Sequence, residues 1–374
     1  MAIAQTAEPT LEKPLRLWPG VVFVIVQWLL WIVVPVIPVF PPEAVLIGAI
    51  GGLASALPIV VWWVFFSRAR WSERLGAIVV MIIAVIATRP LLDKSIQTGM
   101  MGLMFSIYVI PTLCLALVAG AVAGRRVSAG SRRAAMVAAI LLACGVWTML
   151  RTDGIRVGRA ELAWRWTTTP EERLLAQGGD EPAAFPAAPA AVETTAEWPG
   201  FRGPDRNSIV PGVRIETDWA ASPPVEIWRR PIGPGWSSFA VRGGLLYTQE
   251  QRGDDEVVAC YKVSTGEPVW RHRDAVRFWD AGSGAGPRAT PTLGNGRVYT
   301  FGATGILNAL EARDGAVVWS RNVVSDTGAK VPGWGFASSP LVVGEVVFVA
   351  PASHLDAYAL ARGNPRAPGV KGEG

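Results

Sequence analysis

Four residues in the second half of the chain combine aromatic faces with a positive charge: Trp236, Trp279, Arg288 and Trp334. They stand in three glycine-rich stretches: IGPGWSSF (232–239), FWDAGSGAGPR (278–288) and VPGWGFASS (331–339). An indole ring stacks on flat ligands or fills a partner's pocket, and a guanidinium pairs with carboxylates or phosphates. These residue types predict a surface that binds a ligand, a cofactor or a partner. The alternative is that the tryptophans pack between structural units and that the arginine is solvated.

The cysteines and histidines offer no further chemistry. Cys114 and Cys144 lie in apolar runs, and Cys260 is the single cysteine of the polar half. They cannot build a disulfide framework or a cysteine-rich metal site. The two histidines, His272 and His354, are far apart and have no cysteine or carboxylate at ligand spacing. The sequence therefore predicts neither a zinc site nor a serine–histidine–aspartate triad, and it assigns no catalytic residue and no metal ligand.

Tryptophan recurs in three similar sequence segments, PVEIWRR, GEPVWRH and GAVVWSR, which centre on Trp228, Trp270 and Trp319. Gly266 and Gly315 precede the last two tryptophans by four residues, and the period is 42 to 52 residues. Glycine is expected where a tight turn demands a positive φ. A large ring is expected where the wedge between neighbouring units must be filled.

Between these fixed points the sequence alternates as short strands do. One set of similar segments contains SSFAVRGGLLYT (237–248), ATPTLGNGRVYT (289–300) and SSPLVVGEVVFV (338–349). A second set contains VVACYKVSTG (257–266), LNALEARDG (307–315) and DAYALARG (356–363). With the tryptophan segments as outer strands, each unit has four strands, which is typical of a β-propeller blade.

The strand count predicts an incomplete propeller of about three blades over 198–374. Val225–Arg230 is expected to be an outer strand without three inner ones, and Ser338–Leu360 to be three inner strands without an outer one. The tail GNPRAPGVKGEG (363–374) shows no strand alternation. Propellers have 4 to 8 blades. We therefore expect the chain to be a fragment whose remaining blades lie beyond Gly374, or else two copies to close a ring as a homodimer.

The first half of the chain, 18–150, predicts five transmembrane helices. Its apolar stretches are Trp18–Phe40, Val45–Phe66, Gly76–Thr88, Gly102–Ala123 and Ala134–Leu150. A span takes about 20 apolar residues, so the first, second and fourth stretches are long enough and the other two need their flanks. No charged side chain lies in any stretch, which favours a plain anchor. The alternative is a quinone or substrate site between the helices.

Lysine and arginine in the short loops set the expected orientation. Nine of them lie on the side of the N-terminus and two on the other side. This asymmetry predicts a cytoplasmic tail over 1–17 and an external second half. A proline- and alanine-rich linker, 151–197, is expected to tether that half, with a semi-extended segment over Thr167–Glu197. The formal charge of +5 arises mostly in these loops, so nucleic-acid binding is not predicted.

The repeating unit resembles the PQQ-binding-like β-propeller repeat, whose pattern is roughly A-x-D-x-x-T-G-K-x-x-W. The matches are Thr265, Gly266 and Trp270 in one unit, Ala309, Gly315 and Trp319 in the next, and Ala357 and Gly363 in the third, where Ala367 replaces tryptophan. WPGFRGPDRN (198–207) is similar to the lead-in that precedes the first blade of such proteins. The resemblance covers Trp198–Gly363, about half of the chain.

The resemblance implies one of two functions. Quinoprotein dehydrogenases hold PQQ with Ca²⁺ in the channel, and membrane-bound ones place five spans before a periplasmic propeller. A second branch binds no cofactor and acts as a scaffold in outer-membrane-protein assembly. The chain has no adjacent cysteines, and no carboxylate is assigned as base or Ca²⁺ ligand. We therefore expect a binding or scaffolding module in the bacterial inner membrane, with a periplasmic propeller and envelope proteins as partners. The alternative is a PQQ-dependent dehydrogenase of sugars or alcohols that passes electrons to quinone.

Overall fold

The computed structural model describes residues 15–33, 44–156, 159–177, 195–280, 283–351, 354–360 and 362–371. The chain divides into two compact units, Met1–Thr167 and Thr168–Gly374. The first unit is helical and the second is built from β-strands, as the hydrophobic patterning predicts.

The helices of the first unit are α1 (Trp18–Trp28), α2 (Ala44–Ala54), α3 (Ala56–Val61), α4 (Trp71–Thr88), α5 (Lys94–Thr98), α6 (Met104–Ala123) and α7 (Ala129–Thr148). Single π turns, Leu29–Val33 and Trp62–Phe66, extend α1 and α3. Short 3₁₀ turns follow α4, α5 and α6 at Arg89–Leu91, Met100–Gly102 and Gly124–Arg126. A hairpin of β1 (Leu150–Arg156) and β2 (Arg159–Trp164) ends the unit.

Among the described residues, three helices are long and apolar enough to cross a membrane: Trp71–Leu91, Met104–Arg126 and Ala129–Thr148. The expectation that the third and fifth stretches need their flanks is confirmed, because polar first turns lengthen both helices. Glu73 of α4 is buried and accepts hydrogen bonds from Arg132 of α7 at 2.9 and 3.0 Å. The helices of the first two stretches are shorter, at Trp18–Val33 and Ile50–Phe66, and residues 34–43 lie outside the described ranges.

The described residues of the second unit form three four-stranded antiparallel sheets, which we call blades 1, 2 and 3. Blade 1 consists of β3 (Ala240–Arg242), β4 (Leu245–Arg252), β5 (Asp255–Lys262) and β6 (Pro268–Asp274). Between blades 1 and 2 lies a small pair, β7 (Trp279–Asp280) and β8 (Gly284–Ala285). Blade 2 consists of β9 (Thr292–Gly294), β10 (Arg297–Phe301), β11 (Ile306–Glu311) and β12 (Val317–Asn322), and α9 (Val323–Thr327) follows it. Blade 3 consists of β13 (Leu341–Val343), β14 (Val346–Val349), β15 (His354–Ala359) and β16 (Pro365–Lys371).

The repeated tryptophan of one blade packs against the repeated glycine of the next blade. Trp270 of blade 1 is fully buried, and its indole N–H donates to the carbonyl of Ala312 in blade 2 at 3.0 Å. A Cβ atom on Gly315, where φ is +75°, would lie 2.4 Å from the Trp270 ring. The same arrangement joins Trp319 to Gly363 and Leu360, and Trp228 to Gly266 and Val263. Glycine is therefore required by the neighbouring ring as well as by its own backbone.

Two strand predictions at the ends of the repeat are wrong. Residues 225–230 form no strand, because nothing in the described part of the second unit pairs with their backbone. Conversely, Pro365–Lys371 forms β16 against β15, although its sequence lacks strand alternation. An available sheet edge supplies backbone hydrogen bonds whatever the side-chain pattern. Ala367 pairs with Ala357 as Trp319 pairs with Ala309, so it holds the register expected for tryptophan.

The expected tether is partly structured. A hairpin occupies its first residues, and α8 (Pro170–Ala176) begins with a capping box in which the Thr169 hydroxyl and the Glu172 carboxylate cap each other's backbone N–H. Glu171 accepts hydrogen bonds from Arg277 at 2.8 and 2.9 Å and from the backbone N–H of Gly253 at 2.9 Å. The helix is therefore docked on blade 1, and residues 178–194 lie outside the described ranges.

Candidate functional site: an aromatic rim of the propeller repeats

The site consists of three rim segments that lead into the inner strands of the blades: 232–239, 276–280 with 283–291, and 331–340. Each segment is hydrogen-bonded to the next. The backbone N–H of Ser238 donates to the Thr290 hydroxyl at 3.1 Å, and that of Thr290 donates to the Ser339 hydroxyl at 3.0 Å. These three residues hold equivalent positions in the repeat. The spacing of the rim segments is thus fixed by the same contact twice.

The three predicted tryptophans lie exposed on these segments. Trp236 and Trp334 are 64% and 66% exposed, and Trp279 is 42% exposed. The Trp236 indole N–H donates to the carbonyl of Ser283 at 2.6 Å, and its backbone N–H donates to that of Pro287 at 2.8 Å. Large apolar side chains with fixed backbones and exposed rings are typical of partner-binding surfaces.

Arg288 joins the middle rim segment to the next one. Its side chain is only 5% exposed and forms an ion pair with Asp280. All five of its N–H groups have protein acceptors, which are that carboxylate and the carbonyls of Gly284, Ala285, Gly286 and Trp334. The guanidinium also lies 5.0 Å from the centre of the Phe278 ring. Arg288 therefore positions the rim, and its donors are already used within the protein.

A polar cluster that the sequence did not predict lies between blades 1 and 2. Glu256 is buried and accepts a hydrogen bond from the backbone N–H of Ala303 at 2.9 Å. Burial, with a smaller effect from the nearby carboxylate of Asp274, raises the pKa of Glu256 to about 7. Asp274 accepts a hydrogen bond from Asn308 at 2.7 Å and lies 3.2 Å from His272. The sequence does indicate that Glu256 is buried, because strand alternation places residue 256 on the same face as the apolar residues 258 and 260.

The implied cofactor can be tested against the residues present. Ca²⁺ takes six to eight oxygen ligands, several of them carboxylates. Within the described ranges, no three histidine, cysteine, aspartate or glutamate side chains lie close enough to hold a metal ion. Cys260 is completely buried, which raises the pKa of its thiol. The described part of the chain therefore supplies no cluster of side chains that would hold Ca²⁺.

Comparison with known proteins defines the class of the second unit. Residues 220–367 match the family described as outer membrane protein assembly factor BamB, whose repeat is the PQQ-like propeller unit. The resemblance predicted from the sequence is confirmed over this segment. No curated protein matches the chain.

Solved structures similar to this chain include both branches named above. BamB from Moraxella catarrhalis is 15% identical, with 37% of this chain and 36% of that chain covered and a TM-score of 0.25. Quinohemoprotein alcohol dehydrogenase from Comamonas testosteroni is 20% identical, with 47% of this chain and 27% of that chain covered and a TM-score of 0.34. A europium-containing methanol dehydrogenase is 17% identical, with coverages of 36% and 24% and a TM-score of 0.27. The matched part thus spans between 24% and 36% of these structures' own length.

Proposed function

We propose that this chain is a membrane-anchored binding or scaffolding module whose propeller repeats present the aromatic rim to a protein partner. The observation that carries the proposal is the set of three exposed tryptophans on adjoining segments whose backbones are locked together. A rigid aromatic surface binds with little loss of conformational freedom. Aromatic side chains also dominate the energetics of protein interfaces.

The location supports an envelope protein as the partner. In the part of the chain that the structure describes, three helices are long enough to cross a membrane, and the positive charges of their loops lie mainly on the side of the N-terminus. We propose the bacterial inner membrane, with the N-terminus in the cytoplasm and the propeller repeats in the periplasm. The family matched by residues 220–367 is named for outer membrane protein assembly, which favours a partner in that process.

Photocrosslinking in cells tests the rim. A photoreactive phenylalanine analogue would replace Trp236, Trp279 or Trp334, one at a time, in the full-length chain. Val317, which is 50% exposed on the outer strand β12, is the matched control position. We expect one discrete adduct from the rim positions and none from Val317. Equal adducts from all four positions would contradict the proposal, and an adduct of twice the chain's mass would identify a second copy as the partner.

A titration of the purified chain with PQQ and Ca²⁺ addresses the alternative. A scaffolding module leaves the absorbance spectrum of PQQ unchanged at equimolar concentration. Tight binding, together with reduction of an electron-accepting dye in the presence of glucose or ethanol, would instead establish a dehydrogenase that passes electrons onward. The crosslinking and titration results are independent, so each function can fail by itself.

A further inference from the structure

The segment that leads into blade 1 lies against the inner strands of the blades. Trp198 exchanges two backbone hydrogen bonds with Val241 of β3, at 3.1 and 2.7 Å. One residue later, the carbonyl of Pro199 accepts a hydrogen bond from the backbone N–H of Leu293 in β9 at 2.7 Å. The lead-in therefore crosses from blade 1 to blade 2 along their inner edges.

After this crossing the chain folds into a closed loop, 200–208. Backbone hydrogen bonds join Gly203 to Gly200 at 3.0 Å and Ser208 to Arg202 at 2.9 Å. A Cβ atom on Gly203 would lie 2.5 Å from the Trp198 ring, so that ring packs directly on the loop. Arg202 and Arg206 both have positive φ, at 67° and 54°, which is unfavourable for residues other than glycine. Strained backbone of this kind is concentrated at ligand-binding sites.

The loop and the inner strands of blades 2 and 3 line an open cavity of about 460 Å³. Ligand sites in proteins typically have volumes of about 300 to 1,000 Å³. Arg202 and Arg206 line one side, and the hydroxyl-bearing Thr292 and Ser339 line the other. No acidic side chain is among the lining residues. The cavity therefore has a net positive charge.

The arginines have donors available. The Arg202 Nε–H donates to the Ser208 hydroxyl at 3.2 Å, and no other acceptor contacts its guanidinium within the described ranges. The Arg206 side chain likewise has no hydrogen-bond partner among the described residues. This contrasts with Arg288 on the rim, whose donors are all used.

We propose that this cavity binds a small organic polyanion through its carboxylate or phosphate groups. Two guanidinium groups on a fixed loop match such groups in charge and in planar geometry. The opposing hydroxyls can hydrogen-bond the remaining oxygens of the ligand. The site is distinct from the aromatic rim, and it holds whether or not the rim binds a protein.

Isothermal titration calorimetry on the full-length chain in detergent tests the site, with citrate and inorganic pyrophosphate as probes and glucose as a neutral control. We expect the chain to bind citrate or pyrophosphate but not glucose, and the stronger probe identifies carboxylate or phosphate chemistry. The R202Q/R206Q double variant should bind at least about tenfold more weakly. The matched control R214Q removes an exposed arginine outside the cavity and should leave affinity unchanged. Absent binding of both anions, or equal affinity of the double variant, overturns the proposal.

A second measurement needs no substitution. Phenylglyoxal modifies accessible arginines, and peptide mass spectrometry reports each site separately. The probe that binds should protect Arg202 and Arg206 but not Arg214. Equal modification of all three arginines with and without the probe would also overturn the proposal, and this readout does not depend on the folding of a variant.

Discussion

Replacing Gly315 by alanine should weaken the tryptophan–glycine contact between blades 1 and 2. Gly315 has a φ of +75°, and an added Cβ would lie 2.4 Å from the fully buried Trp270 ring. Gly296 in the same blade is a matched control. Its φ is +77°, it also lies in a hairpin turn, and nothing lies within 4 Å of its added Cβ. Comparing G315A with G296A therefore separates the steric contact from the backbone strain.

The size of the difference follows from these two contributions. Each substitution forces alanine into the left-handed region at a cost of roughly 1–2 kcal/mol. Only G315A also forces the indole to move, and overpacking of this kind costs about 1–3 kcal/mol. The indole hydrogen bond to Ala312 is strained by the same movement. We expect G315A to be less stable than G296A by about 1–3 kcal/mol in the free energy of unfolding.

Urea denaturation followed by near-ultraviolet circular dichroism measures this difference on the full-length chain. With a typical dependence of about 1–3 kcal/mol per molar urea, the two midpoints should differ by about 1 M. A double-mutant cycle sharpens the result. In a W270A background, G315A should cost no more than G296A, because the ring it displaces is gone. Equal midpoints for G315A and G296A in the presence of Trp270 would show that the contact between Gly315 and the Trp270 ring does not stabilise the protein.

Three further predictions concern the polar contacts of the second unit. The raised pKa of Glu256, about 7, means that the fold favours the protonated form, so this residue's contribution to stability is complete below pH 4.5 and is lost as the pH rises through 7. Between pH 5 and pH 8 the free energy of unfolding, measured by urea denaturation, should therefore fall less for E256Q than for the parent protein, by up to about 3 kcal/mol. Parallel pH profiles of the two proteins would contradict this. R288A leaves Asp280 without its cation and should destabilise the rim by about 3–5 kcal/mol, seen as faster hydrogen exchange in the middle rim segment but not in β4 or β5. R277A should release α8 and accelerate tryptic cleavage after Arg173, whereas R313A, which removes an exposed arginine, should leave the cleavage rate unchanged.

The propeller repeat could be predicted from the sequence because its determinants are local. Turn glycines and alternating apolar residues depend on backbone geometry within a few positions. For the same reason, Asn295–Gly296 predicts its hairpin turn, and the structure gives both residues positive φ, at 48° and 77°. The apolar stretches predicted helices equally well, and the flanks that two of them needed form polar first turns. The pairing of Glu73 with Arg132 brings together residues far apart in sequence, which no periodicity reveals.

The sequence by itself determined the unit of construction: four strands, a turn glycine and a tryptophan that recurs in register. The tertiary structure alone decided which segments found partners. Residues 365–371 became a strand because β15 offered an edge, whereas residues 225–230, with better alternation, did not. It also decided that Arg288 is a buried link within the rim, while Arg202 and Arg206 keep donors for a ligand. Residue type fixes which groups a side chain is able to bind. Only the packing of distant segments determines whether other groups of the protein already pair with that side chain.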